Sequence, residues 1–223
     1  MNNKITKLLQ SIEISHSFAR DYRHGIETRE GWGMFEPTRF VYAFFALNML
    51  YEIDWESTIN AGSIQKHSYK GITKTKPQIE KLVEFINEND CNAFDNALLK
   101  VDAKRELFGV IANMEFDKNS NKTSHLNESK KIAQTFKYSA EKFTNGITLD
   151  LEDHFSLLEM SYAVRNNLFH GEKKAHKMKE QGHRNRLFHY GNIIMATNES
   201  FFEVMKENYN YRRIERWEVQ DNL

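Results

Sequence analysis

Apolar residues recur along this chain at intervals of three and four, the period of an α-helix rather than of a strand. Ile5, Leu8, Leu9, Ile12 and Phe18 fall on one side of a segment predicted to be helical from Ile5 to Tyr22, ahead of a glycine-bearing loop from Gly25 to Glu36. Pro37 suits a first helical turn, and Phe40, Phe44, Leu47, Leu50 and Tyr51 follow it at helical spacing. A deeply buried helix is therefore expected from Pro37 to about Trp55. Pro77 to Asn87 and Ala93 to Met114 read as amphipathic helices, whereas Asp117 to Asn127 is polar, weakly patterned and expected to be a loop. Glu128 to Phe143 turns Ile132, Phe136 and Phe143 inward and stops at Gly146. Asp150 to His170 carries the apolar row Leu151, Phe155, Leu158 and Tyr162, with Gly171 as a C-terminal stop. Arg184 to Asn208 repeats the pattern through Leu187, Tyr190, Ile194, Phe201, Val204 and Met205. No strand pattern stands out, so an all-α bundle is predicted.

Composition agrees with that reading. Two prolines and ten glycines among 223 residues impose few breaks, and the length suffices to bury a real core in one domain. Basic and acidic residues number 31 each, so any polyanionic partner has to be met by a local patch rather than by the overall charge. Cys91 is the sole cysteine, which excludes an intramolecular disulfide and suggests a small buried side chain in a reducing compartment. The N-terminal stretch has no long apolar core of a secretory signal. The run Phe40 to Leu50, broken by Asn48, is about half of what a bilayer crossing needs. A cytoplasmic protein with no membrane partner is expected.

Chemistry is sought where arginine and histidine fall close together, because a guanidinium grips phosphate oxygens and an imidazole moves protons near neutral pH. With 11 arginines and 9 histidines, an Arg-x4-His spacing arises about 0.4 times by chance and carries little weight. Requiring asparagine directly after the arginine lowers that expectation to roughly 0.04. The chain holds this stricter pattern twice: Arg165-Asn166-Asn167-Leu168-Phe169-His170 and Arg184-Asn185-Arg186-Leu187-Phe188-His189. The first closes a predicted helix and is followed at once by Gly171, whereas the second opens one.

The stretch from Tyr162 to Lys173, Tyr-Ala-Val-Arg-Asn-Asn-Leu-Phe-His-Gly-Glu-Lys, resembles the signature segment of HEPN domains, and Arg39 to Tyr51 is similar to the apolar helix that precedes it in several such families. The likeness covers these two helices and does not obviously extend over Ile59 to Leu149, which is expected to be a family-specific helical insertion. The resemblance implies a HEPN-like helical bundle, a homodimer built around the signature helices, and metal-independent endoribonuclease activity without a cofactor. Arg165, Asn166 and His170 would then be catalytic. It further implies a toxin with a neutralising partner, such as a nucleotidyltransferase-like antitoxin, or a phage-defence effector. The alternative is a non-catalytic HEPN module that binds RNA, a nucleotide or a partner protein. Nothing resembles a nucleotide cradle or paired catalytic acids, which leaves a small-molecule enzyme as a distant third reading.

Helical geometry bears on the same residues. Arg165 continues the row Leu151, Phe155, Leu158 and Tyr162, where burying a cation is costly unless something anionic meets it. His170 shares the more polar row of Glu152, Ser156, Glu159, Ala163 and Asn166, so it points about 140° away from Arg165 on an ideal helix. A two-fold axis beside the helix end is the expected way to bring both groups into one cleft.

Several features carry bland readings beside functional ones. Gly171 to Arg186 has a local positive excess, from which Lys173, Lys174, Lys177, Arg184 and Arg186 are candidate RNA-binding residues, against an ordinary solvated loop. Arg184, Arg186 and His189 otherwise read as a solvated helix start. His170, His176, His183 and His189 lack metal-ligand spacing, and no metal site is expected. Tyr209, Tyr211 and Trp217 interleave with Arg212, Arg213 and Arg216, a mixture suited to stacking bases but more in keeping with a helix that packs its rings inward. Asn48 and Asn167 are candidate support residues; Asn48 reads either as a satisfied core amide or as a group reaching the site. The turn Gly31-Trp32-Gly33 lacks phosphate-loop spacing and reads as a corner.

Overall fold

Helical periodicity becomes helix throughout the computed structural model, which describes residues 1–26, 35–68, 75–101, 105, 123–169 and 181–214, without the side chains of 21–26, 35, 75, 123–129, 166–169, 181, 183 and 185. Among these residues lie eight helices and no strand: α1 (Asn3–Ile26), α2 (Phe35–Tyr51), α3 (Trp55–Ala61), α4 (Thr75–Asn89), α5 (Ala93–Val101), α6 (Thr123–Thr144), α7 (Leu151–Phe169) and α8 (Gln181–Tyr209). The sole extended pairing among them is an isolated antiparallel bridge between Ile53 and Lys66. The fold is all-α. No described helix is long and apolar enough to cross a membrane.

The 29-residue α8 forms the axis of the bundle, with α1, α2, α4, α5 and α7 packed around it. Leu187, Tyr190, Ile194, Phe201, Val204 and Met205 are all buried, as their spacing predicts, and so are the polar His189, Asn192, Thr197, Asn198 and Ser200 on its other faces. A helix enclosed on nearly every side has to satisfy those groups internally. Asn198 Nδ2 donates to the Ala43 carbonyl at 3.0 Å and Ser200 to the Thr197 carbonyl at 2.8 Å, whereas Asn198 Oδ1 and both polar atoms of the Asn192 side chain have no partner among the described residues. Side chains from the 59–149 region, among them Ile79, Leu82, Phe94, Phe136 and Phe143, join the same core as Phe40, Phe44 and Phe201.

Helix ends follow local chemistry. Asp150 and Asp153 form a reciprocal cap at the start of α7, each carboxylate accepting the other's backbone N–H at 3.0 Å. Gly146, at φ 75°, ends α6 with Ile147 N–H donating back to the Lys142 carbonyl at 3.0 Å. Asn210, at φ 53°, ends α8 in the left-handed region that asparagine tolerates.

Some expectations are corrected. The helix predicted to run to Trp55 stops at Tyr51, because Asp54 caps a new helix by accepting the Ser57 N–H at 3.0 Å. Phe18, expected inward, is 57% exposed, since the buried face of α1 passes through Ile12, Glu13, His16 and Ala19 instead. Phe18 meets the Tyr42 ring, which in turn meets the exposed Phe45. Residues Thr123 to Asn127, expected in a loop, belong to α6. Cys91 is exposed in the turn before α5, not buried. Tyr209 and Tyr211 do pack inward, yet the chain after Tyr209 leaves the helix: Tyr211 is buried and donates to Glu13 at 2.8 Å, in an extended tail. Gly31-Trp32-Gly33, residues 106 to 122, Arg216 and Trp217 lie outside the described residues.

Candidate functional site

The row that leads to Arg165 runs along the margin of the core rather than through its centre. The fully enclosed face of α7 is formed by His154, Leu157, Leu158, Ser161 and Val164, while Leu151, Phe155 and Tyr162 are half-buried. Arg165 is likewise half-buried. Its guanidinium carbon lies 5.0 Å from the centre of the Phe44 ring and 5.9 Å from that of Tyr162, so aromatic faces pack against the cation.

Arg165 opens onto a cavity of about 400 Å3 lined by Asn48, Tyr51, Glu52, Lys66, His67, Gln78 and Tyr162. These residues come from four places in the fold. The end of α2 supplies Asn48 and Tyr51, with Glu52 just beyond, α4 supplies Gln78, and α7 supplies Tyr162 and Arg165. The turn after α3 supplies Lys66 and His67. Gly62, at φ 62°, ends α3, and the chain then folds back: Asp54 N–H donates to the Gln65 carbonyl at 3.0 Å, Gln65 N–H donates to Thr58 Oγ1 at 2.8 Å, and His67 N–H donates to the Glu52 carbonyl at 3.4 Å.

Inside the cavity the polar groups form a chain. Tyr51 donates to Asn48 Oδ1, and Asn48 Nδ2 donates to Glu52 Oε1 at 3.2 Å. Glu52 Oε2 in turn lies 3.4 Å from Lys66 Nζ. Burial first, then the neighbouring Tyr162, pushes the Tyr51 phenol well above its ordinary range despite Arg165, so it stays protonated and donates. His67 Nδ1 lies 4.0 Å from Asp54 Oδ2 with its side chain 8% exposed, and burial holds this imidazole below its ordinary value. Asn48 is hydrogen-bonded at the core edge and also lines the cavity with Arg165.

The other sequence-predicted residues are distributed as follows. Asn166 and Asn167 continue α7, their side chains lying outside the described set, as do His170, Lys173, Lys174 and Lys177 entirely. Arg184 and Arg186 are half-buried in the first turns of α8. His189 corrects the solvated reading of the second Arg-Asn copy: it is 6% exposed, burial depresses it to about 4, and its Nδ1 has no hydrogen-bond partner among the described residues. Among the described residues no group of three histidine, cysteine or carboxylate side chains converges as metal ligands.

Tyr51, Lys66, His67 and Gln78 were not singled out by sequence reasoning as site residues. Lys66 and His67 sit in no periodic or motif-like context, and only the fold-back after α3 brings them to Arg165. A larger cavity of about 490 Å3 between α4, α6 and α7 holds no histidine, and Lys76 there pairs with Glu159 at 2.5 Å.

Fold and site together define an all-helical protein with a mixed-charge cavity where α7 meets α2. Comparison with family models, curated proteins and solved structures returns no match.

Proposed function

We propose that this protein is a HEPN-type, metal-independent endoribonuclease that acts as a homodimer, either as a toxin held in check by a nucleotidyltransferase-like partner or as a phage-defence effector. The observation that carries the reading is the placement of Arg165. Its guanidinium sits half-buried at a polar cavity, one residue ahead of the Asn166-to-His170 stretch on which the HEPN resemblance rests. Aromatic faces hold the flat of the cation at the core margin, where an anionic ligand entering the cavity meets its charge.

The reaction begins with attack by a ribose 2′-oxygen on the adjacent phosphorus, which breaks the bond to the 5′-oxygen and leaves a 2′,3′-cyclic phosphate and a 5′-hydroxyl. Arg165 stabilises the pentacoordinate charge, His170 transfers a proton, and Asn166 orients the imidazole or the phosphate. Because Arg165 and His170 diverge on an ideal helix, two copies related by a two-fold axis complete the cleft. Lys173, Lys174, Lys177, Arg184 and Arg186 form the lip that holds the RNA backbone.

The test incubates wild-type, Arg165→Ala, His170→Ala and His189→Ala proteins with total RNA in a chelator. Cleavage that is lost in the first two variants and kept in His189→Ala is expected, and DNA survives because it lacks the attacking hydroxyl. Equal cutting by wild type and His170→Ala refutes the assignment. RNA retained on the protein but never cut identifies a binding module instead.

A further inference from the structure

Arg165 has an imidazole on its own side of the molecule and within its own chain. His67 lines the same cavity that Arg165 opens onto. We infer that His67 is the proton acceptor for the ribose 2′-hydroxyl in this cavity, oriented by Asp54 and acting in cis with Arg165; the inference rests on the ribonuclease reading above.

Geometry supports it first. A base useful in catalysis is held in place by other groups: the His67 ring hydrogen-bonds the Ile53 backbone, and the Asp54 carboxylate, 4.0 Å from Nδ1, acts on it by charge rather than through a hydrogen bond. The turn that carries it is pinned at both ends, by the bridge between Ile53 and Lys66 and by the backbone bonds from Asp54 to Gln65 and from His67 to Glu52. With the side chain 8% exposed, the ring is fixed while still lining a cavity of about 400 Å3.

Protonation state supports it next. Burial lowers the His67 imidazole, Asp54 and a backbone hydrogen bond to Ile53 partly oppose this, and Lys81 adds to the lowering. The other charged or titratable groups facing the cavity are Tyr51, Glu52, Lys66, Tyr162 and Arg165. The net effect is a neutral ring at pH 7, the form that accepts a proton. His67 takes the proton of the 2′-hydroxyl as the 2′-oxygen bonds to phosphorus, the phosphorus–5′-oxygen bond breaks, and the departing oxygen takes the proton that the reading above assigns to His170. Lys66 and Arg165 face the phosphoryl group.

The experiment measures cleavage of a defined oligoribonucleotide by wild type, His67→Gln, His67→Ala and Asp54→Asn, with helical content checked by circular dichroism. Asparagine preserves the N-cap of α3, so Asp54→Asn tests orientation with the helix start intact. Expected are a loss in kcat of about 100-fold in His67→Gln with little change in KM, a smaller loss in Asp54→Asn, and recovery of His67→Ala by added imidazole. The acid limb of the wild-type pH profile has its midpoint below the ordinary histidine value of about 6.5 and vanishes in His67→Gln. Cleavage by His67→Gln at the wild-type rate overturns this assignment alone. A folded His67→Ala that is inactive and not restored by imidazole also overturns it, since the residue is then structural. A wild-type protein that cuts no RNA overturns the ribonuclease reading and this inference together.

Discussion

His154 lies flat on Phe94, with ring centroids 3.6 Å apart and planes 5° from parallel, and its Nε2 meets the Thr197 hydroxyl at 3.0 Å. Burial lowers this imidazole to about 3, so it is neutral in the folded protein. In the unfolded chain it takes a proton near its ordinary value of about 6.5, and between those limits the unfolded state binds more protons. The stability it contributes is therefore complete above about pH 6.5 and lost as the pH falls toward 3; His189, lowered to about 4, acts with the same sign. Urea unfolding at about pH 7 and about pH 5 is expected to show a lower midpoint at the acid value, with a flatter dependence in His154→Gln.

Arg213 joins the extended tail to two helices. It donates to Glu13 at 2.8 Å, to Glu199 at 2.6 and 3.0 Å, and to Glu203 at 2.9 Å. Burial pushes Glu199 up, yet hydrogen bonds from His16 and Arg213 outweigh it and hold the carboxyl well below its ordinary range. Removing the guanidinium leaves the buried Glu13 without its cation beside two more carboxylates, held among the described residues only by the Tyr211 hydroxyl and the Ile214 N–H. Arg213→Ala is expected to destabilise the fold by about 3 kcal/mol, with a larger loss than Arg212→Ala on the exposed side of the same tail. Equal unfolding midpoints for the two variants refute the clamp.

His189 Nδ1 is buried with no hydrogen-bond partner among the described residues, so on that side the ring contributes volume to the core and no hydrogen bond. His189→Leu keeps most of that volume and removes a buried polar atom. Its stability is expected to stay within about 1 kcal/mol of wild type, and its RNA cleavage to be unchanged. A severe loss of cleavage with intact folding makes the second Arg-Asn copy the functional one.

Arg165 uses a planar cation against the Phe44 and Tyr162 rings. Lysine keeps the charge but loses the flat face and the paired donors. Arg165→Lys is expected to fold normally and to lose RNA cleavage by more than about tenfold, read by gel at constant salt. Activity at the wild-type level assigns the side chain a purely electrostatic role.

Periodicity made most of the bundle legible, because burial on α2 follows helical spacing; on α8 it found the apolar row but not the burial of His189, Asn192, Thr197 and Asn198 on the other faces. It misjudged Phe18 because polar Glu13 and His16 occupy the core-facing positions of α1, where Arg213 and Glu199 satisfy them. It ran α2 into Trp55 although Asp54 and Glu56 mark a new helix start, since the apolar spacing continues across the junction. Of the candidate site, Arg165 and Asn48 were legible as a cation and an amide in apolar rows. His67 was not, because its contacts with Asp54 and Glu52, and its place in the cavity that Arg165 also lines, are set by a fold-back that leaves no periodic trace. The two Arg-Asn copies are nearly identical as strings of letters and differ in the sequence by their place at a helix end or a helix start, while the burial of His189 inside the core was not legible there.

The exposed turn ahead of α5 carries the chain's one sulfhydryl. A thiol-reactive dye or spin label will therefore attach at a single defined point without any mutation. Cys91 lines neither cavity, so the tag leaves those walls untouched. In a symmetric pair of subunits two such tags report one separation, and oxidation couples copies through that corner alone, a species that a reducing agent removes.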